Sequence, residues 1–334
     1  MGASSKLAAA TGGPHYELYL DIVGRVRDEI EPFTAKAAVA SDLKALRTAR
    51  REGNLALVLG AGVSVPLRLL SWPDLNRALY ESILPKKYAT SVGPLIRQLG
   101  SGAPVLTRFV EGELPLRSEL RRRVARELYR NFKAKTRTSS MTAIVDLLYP
   151  TTAKPPVSTV VTYNFDDLLE RAITSRYPRL PFDIVFGEDT YYSSKRRLKI
   201  YHPHGYLPYE PGQNLEGDSA ALVFSEREFH RQFVRFDCWQ NIVQSYVYSS
   251  KVCLFVGISL SDPNLRRQLD IARRGTSATL PKHYAITKMN SDGTRLGKLT
   301  NYFREKDMIS LGVAPLWVKS YRSVGRLLRL IATG

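Results

Sequence analysis

Apolar positions along this chain follow two spacings in turn. Short runs rich in apolar and β-branched residues occur at 54–59, 157–162, 182–186, 198–201, 220–224, 252–256, 283–287 and 314–319. Such runs predict short strands, the long unbroken ones buried on both faces. Between them, apolar residues recur at three- and four-residue intervals, which predicts amphipathic helices at 16–31, 41–52, 71–84, 116–133, 141–148, 166–176, 240–248, 264–273, 293–304 and 323–331. In the 116–133 segment the apolar members are Leu120, Val124, Leu128 and Phe132. Ser71-Trp72-Pro73-Asp74 reads as a helix start with proline in its first turn. Ser225-Glu226-Arg227-Glu228 is a capping-box pattern opening another helix. The stretch 85–104 has a weaker helical signal, and 205–217, rich in Pro, Gly and Tyr, reads as a loop.

Strand, loop and helix in repetition predict an α/β fold: a doubly wound, mostly parallel sheet of Rossmann type with helical additions. The expected organisation is a disordered start at 1–15, helices within 16–53, a main domain over 54–320 with a helical insertion at about 85–150, and a terminal helix in 321–334. In such a sheet ligands lie at the carboxyl ends of the strands. Four segments leave a predicted strand and turn polar there. LALVLGAGVS (55–64) places Gly60, Ala61, Gly62 and Ser64 after the first strand. Small residues of this kind let a backbone approach a pyrophosphate, although the third glycine of the dinucleotide fingerprint is missing and a tight turn has the same pattern. VVTYNFDD (160–167) places Asn164 and Asp166 past a strand, and KIYHPHG (199–205) does the same for His204. FVGISLSDPN (255–264) adds Gly257, Ser259 and Asp262. Each of the last three alone is more often a turn or a helix cap than a site; together with Gly60–Ser64 they line one rim.

The net charge of +18 is uneven, with basic clusters at 117–137, 266–274 and 322–329. A solvated helix face accounts for any one of them, and contact with nucleic acid through the basic helix 116–133 is the functional alternative. The two cysteines, Cys238 and Cys253, cannot form a four-thiolate zinc site or a disulfide framework, and they fit a reducing cytoplasmic setting. No apolar run reaches the roughly 20 residues of a membrane span, and no secretory leader is visible. Lys6 breaks the myristoylation pattern that Gly2 would begin.

Taken in order, GAGVS, TYNFD, HG and GIS resemble the NAD-binding and catalytic motifs of the sirtuin superfamily, over roughly 54–269. The Trp72-Pro73-Asp74-Leu75 segment resembles the sirtuin-like branch found in bacterial antiviral defence. The resemblance implies that Gly60, Ala61, Gly62 and Ser64 hold the pyrophosphate and neighbouring ribose of NAD. It implies that Asn164, with Asp166 supporting its loop, binds near the nicotinamide ribose and positions a nucleophile. His204 becomes the general base, and Gly257 and Ser259 contact the phosphate or adenosine half. These residue types suit the chemistry. An asparagine amide donates and accepts without charge, and a histidine takes a proton near working pH.

The departures matter. The four-cysteine zinc module of deacylating sirtuins is absent, Tyr163 stands where their motif has Gln, and the glycine-rich stretch after the first motif is missing. The expectation is therefore a metal-free NAD hydrolase in which water is the acceptor and NAD the substrate. The alternatives are an NAD-dependent protein deacylase, a silent nucleotide-sensing module, a metal site on His202 and His204, and a nucleic-acid-binding scaffold. The resemblance further implies a homo-oligomer and a HerA-like ring ATPase as partner, with a short Argonaute-type protein as runner-up. The segments 16–52 and 116–133 are the expected contact regions.

Overall fold

The computed structural model describes residues 40–100, 104–114, 116–134, 136–149, 157–188, 197–210, 222–235, 237–274 and 283–333. The start at 1–15 and the helix expected at 16–31 lie outside the described residues. Helix α1 (Ala40–Arg51) leads into strand β1 (Leu55–Leu59). The insertion follows as α2 (Trp72–Ile83), α3 (Val92–Leu99), α4 (Pro104–Glu113), α5 (Arg117–Tyr129) and α6 (Ser139–Leu148). Then come β2 (Val157–Thr162), α7 (Leu168–Arg176), β3 (Phe182–Val185) and β4 (Leu198–Tyr201). The second half contains α8 (Glu226–Val234), α9 (Trp239–Ser250), β5 (Val252–Val256) and α10 (Pro263–Arg274). It closes with β6 (His283–Lys288), α11 (Arg295–Ser310), β7 (Val313–Val318) and α12 (Val324–Ala332).

The seven strands form one parallel sheet in the order β3-β4-β2-β1-β5-β6-β7. Alternation along β1 shows the double winding directly. Leu55, Leu57 and Leu59 point into a core shared with α2, α6 and α12, whereas Ala56 and Val58 point into one shared with α9, α10 and α11. All five residues are buried, as a central strand covered on both faces requires. The chain leaves β1 toward β2, β3 and β4 on one side and returns to β5 on the other. The winding therefore reverses between β1 and β5, where such sheets open a crevice. No described helix is long and apolar enough to cross a membrane.

Three expectations need correction. Of the run expected as a strand at 220–224, the described part, 222–224, is not strand and turns at 223–224. Phe224 packs its ring against Trp72 at 5.4 Å, and the Val223 N–H donates to the carbonyl of His204 at 2.8 Å. Apolar burial here is satisfied by side-chain packing, so no ladder forms. The basic helix stops at Tyr129, short of 133. Beyond its end, Phe132 packs edge-on to Tyr129 and Tyr209, which accounts for its apolar register without helical backbone. The helix expected at 293–304 runs on to Ser310.

Several arginines of α5 have intramolecular partners. Arg121 and Arg123 donate to the carbonyls of Tyr206 and Ser82 at 2.8 and 3.0 Å, and Arg117 and Arg126 pair with Glu228 and Glu127. The insertion is thereby tied to the rest of the domain.

Helix α12 crosses α6 at Gly325, where a methyl group would lie 2.8 Å from the backbone of Ser139. Helix propensity alone favours Gly325→Ala by about 1 kcal/mol. Forced overlap with rigid backbone costs about 1–3 kcal/mol and reverses the sign. Urea unfolding of Gly325→Ala should show a net loss of stability; a gain would mean that the two helices separate freely.

Candidate functional site

The loops after β4, β2, β1 and β5 sit side by side because those four strands are neighbours in the sheet. The loop after β1 is a single tight turn over Ala61–Val63, started by Gly60. Its backbone lies directly on the loop after β5. The Gly60 N–H donates to Val256 at 3.1 Å, and the Gly62 N–H donates to Gly257 at 2.8 Å. A methyl on Gly62 would lie 2.8 Å from Gly257, and one on Gly257 would lie 2.7 Å from the Val63 nitrogen. Gly257 also has φ +69°, in the left-handed region that glycine enters without strain. These glycines first serve loop-on-loop contact, and a phosphate cradle can exist only on top of it.

Buried Ser64, next in the chain, joins the first loop to the second. Asn164 donates its side-chain N–H to the Ser64 hydroxyl at 3.1 Å. The Ser64 hydroxyl also bonds the carboxyl of Asp166, which accepts the Leu168 N–H at 3.1 Å and so starts α7. Burial pushes the Asp166 carboxyl up to about 6, against these hydrogen bonds. Beneath them lies His202, which has no exposed surface. Its Nδ1 meets the Asn164 carbonyl at 3.1 Å, and its Nε2 meets Glu170 on α7 at 2.8 Å. Neither ring nitrogen is left for a metal, so the reading of His202 and His204 as a ligand pair has no geometric basis.

His204 stands apart from this chain of bonds. Its ring sits between Tyr163, 4.7 Å away, and Phe229, 5.6 Å away, both edge-on. The Tyr163 hydroxyl is held by Tyr248 at 2.8 Å and by Gln244. His204 Nε2 is buried with no hydrogen-bond partner among the described residues, and it lies 3.6 Å from an Asp262 oxygen. Burial pulls the imidazole below its ordinary value, and the Asp262 charge only partly opposes this. At neutral pH the ring is therefore uncharged and able to accept a proton. The backbone around it is pinned: Gln232 donates to Pro203 at 3.1 Å, and Leu207 donates to Phe165 at 2.6 Å.

The structure thus brings Ser64, Asn164 and Asp166 into direct contact, and it places Tyr163, the neighbour of Asn164, against His204. Gly60, Gly62 and Gly257 meet through backbone, with Ala61 on the turn they form. Ser259 is different: its hydroxyl pairs with Ser261 at 2.6 Å, and it bonds none of the other candidates. Sequence reasoning missed His202 and Glu170 as supports of Asn164. Their only signal is a polar residue where the pattern calls for an apolar one: His202 at the end of an apolar strand, Glu170 on the buried side of α7. Trp72, expected only as part of a helix start, packs on Phe165 at 6.2 Å and braces the Asn164 loop.

Comparison with known proteins gives four matches. A family model described as a SIR2-like domain matches residues 158–308. A protein of Acinetobacter baumannii (strain 532279), NAD(+) hydrolase ThsA, is 24% identical over 293 residues, 84% of this chain and 53% of that protein. Its namesake in Bacillus cereus (strain MSX-D12) is 25% identical over 136 residues, 41% of this chain and 26% of that one. The chain therefore spans about half the length of the first relative and about a quarter of the second. A solved complex of a Sir2 homologue with NAD is 14% identical, with a TM-score of 0.37 over 90% of this chain and 97% of that one.

The raised carboxyl of Asp166 makes a prediction about pH. Unfolded, the group titrates near 4, whereas the folded protein keeps its proton up to about 6. The native state binds more protons in that window, so this group's contribution to stability is lost as pH rises through it. Asp166→Asn carries no such charge. Its stability relative to the wild type should rise between pH 4 and 6, read by urea unfolding at several pH values. A difference that stays flat across the window would show that the carboxyl is not held protonated.

Proposed function

We propose that this chain, in which residues 158–308 form a SIR2-like domain, cleaves NAD to nicotinamide and ADP-ribose, with water as the acceptor. The observation that carries the reading is the pair at the rim. Asn164, its amide nitrogen held by Ser64, lies one residue from Tyr163, which packs against the His204 imidazole, whose Nε2 has no hydrogen bond among the described residues. The names of the two relatives support the same substrate and reaction.

The chemistry follows from what these groups can do. The bond between nicotinamide and the ribose anomeric carbon breaks, and nicotinamide leaves neutral with the bonding electrons. The positive charge left on the ribose is spread over the anomeric carbon and the ring oxygen. With its nitrogen tied to Ser64, Asn164 has its amide oxygen to orient a water toward that carbon. As the water oxygen bonds to the carbon, its proton passes to His204, which burial keeps in the accepting form. Tyr163 and Phe229 fix the plane of the imidazole and keep bulk water from it. No step is routed through a metal. A role in antiviral defence through NAD depletion, with a HerA-like ATPase or a second copy as partner, extends this reading and rests on the family resemblance.

The purified chain should release nicotinamide from NAD with no acylated peptide present; strict dependence on such a peptide would make it a deacylase instead. Asn164→Ala and His204→Ala should each lower turnover by about 100-fold or more with the circular dichroism spectrum unchanged. Near wild-type turnover in either folded variant overturns the role of that residue. Prolonged chelation should leave the rate unaltered, whereas loss restored by zinc would reopen the metal question.

A further inference from the structure

The loop that follows β5 has a backbone no helix start requires. Gly257 and Leu260 both lie in the left-handed region, at φ +69° and +57°. For Gly257 the conformation is free; for Leu260, whose side chain is buried, it is an outlier that the surroundings must enforce. Arg266, one turn into α10, donates to the Leu260 carbonyl at 3.2 Å and holds the bend. The chain emerges with Asp262 aimed in two directions. One carboxylate oxygen accepts the Leu265 N–H at 2.7 Å and caps α10. The other lies 3.6 Å from His204 Nε2. That gap is too long for a hydrogen bond, yet catalytic contacts are commonly loose before substrate binds and tighten afterwards.

Among the described residues, the other ionisable groups near the imidazole are held neutral or paired. Tyr163 and Tyr248 are kept protonated by burial. On α8, beside Phe229, Glu228 is paired with Arg231 at 2.8 Å and Glu226 with Arg108. Asp166 is bonded to Ser64 on the far side of Asn164.

We propose that Asp262 is a positioning residue for His204, orienting the imidazole from across the crevice and supplying the negative charge against which the imidazolium forms. The capped helix α10 serves as its mount: the bond to Leu265 fixes one oxygen and leaves the other facing the ring. The contribution of Asp262 to turnover rests on the reading of His204 as base in NAD cleavage. Its electrostatic coupling to His204 does not.

The cap and the charge can be separated, because asparagine caps a helix about as well as aspartate does. Asp262→Asn therefore keeps α10 anchored and removes only the negative charge. Protonation of the His204 imidazole, followed by NMR in the full chain with His204→Gln as assignment control, should move to lower pH by about one unit or more in Asp262→Asn. The acid limb of kcat for NAD cleavage should move in the same direction. A weaker base should also lower the plateau by about tenfold or more while KM is preserved. Asp262→Glu, which restores the charge, should bring the imidazole titration back toward the wild type. Identical imidazole protonation in wild type and Asp262→Asn at every pH overturns the proposal and leaves Asp262 a plain cap. If the wild type cleaves no NAD, the functional reading falls, and the imidazole titration still decides whether the two residues are coupled.

Discussion

The structure depends on one close contact, the backbone of the loop after β1 lying on the backbone of the loop after β5. Gly62 and Gly257 meet there with no room for a side chain on either. The contact sits where the winding of the sheet reverses, the place at which adjacent loops usually diverge and leave a crevice. By closing the floor of that crevice it fixes two things at once. On one side it sets Ser64, which holds the amide of Asn164. On the other it begins the bent segment that delivers Asp262 opposite His204.

Around this floor the polar groups are organised by the cost of burying them. A buried donor or acceptor without a partner costs about 1–3 kcal/mol, so a dry site must satisfy nearly all of its polar atoms. The run from Asp166 through Ser64, Asn164 and His202 to Glu170 bonds each member to the next and leaves the second carboxylate oxygen of Glu170 without a partner among the described residues. Such a chain holds Asn164 rigidly, because moving it breaks bonds that water cannot replace. His204 Nε2 also breaks the rule: it is buried and lacks a hydrogen bond among the described residues. An exception of this kind needs a reason, and the Asp262 carboxylate oxygen 3.6 Å away, placed to meet an imidazolium N–H once the ring takes up a proton, is one.

The sheet was legible because its strands are nearly pure apolar runs and its helices keep their period. Each of the seven observed strands lies within a residue or so of an expected one. The run at 222–224, the described part of an expected strand, shows the limit of that signal. Burial makes a run apolar, and packing of Phe224 on Trp72 buries residues as well as a ladder does. Within the site, residues at strand ends could be read because small and polar types interrupt an apolar run there. His202 and Glu170 could not, since their meaning lies in a contact between separate elements across 32 positions of sequence. Asp262 was visible as a polar residue past a strand, but the direction of its second oxygen depends on the left-handed backbone at Leu260, which no composition signals. The glycine loop was legible as a close approach, although the first partner approached is Gly257 rather than a ligand.

The family match begins at residue 158, after the glycine loop and Ser64. The physical site does not respect that boundary. Asn164, His204 and Asp262 belong to the matched segment, yet the amide of Asn164 is held by Ser64, and its loop is braced by Trp72. β1, which carries the glycine loop, is also the central strand of the sheet, paired to β2 on one side and β5 on the other. Without β1 the two strands that bear Asn164 and Asp262 would have no common neighbour to fix their spacing. The geometry of the candidate site is thus a property of the whole sheet. The described residues before β2 contribute to it by holding Asn164, His204 and Asp262 in register.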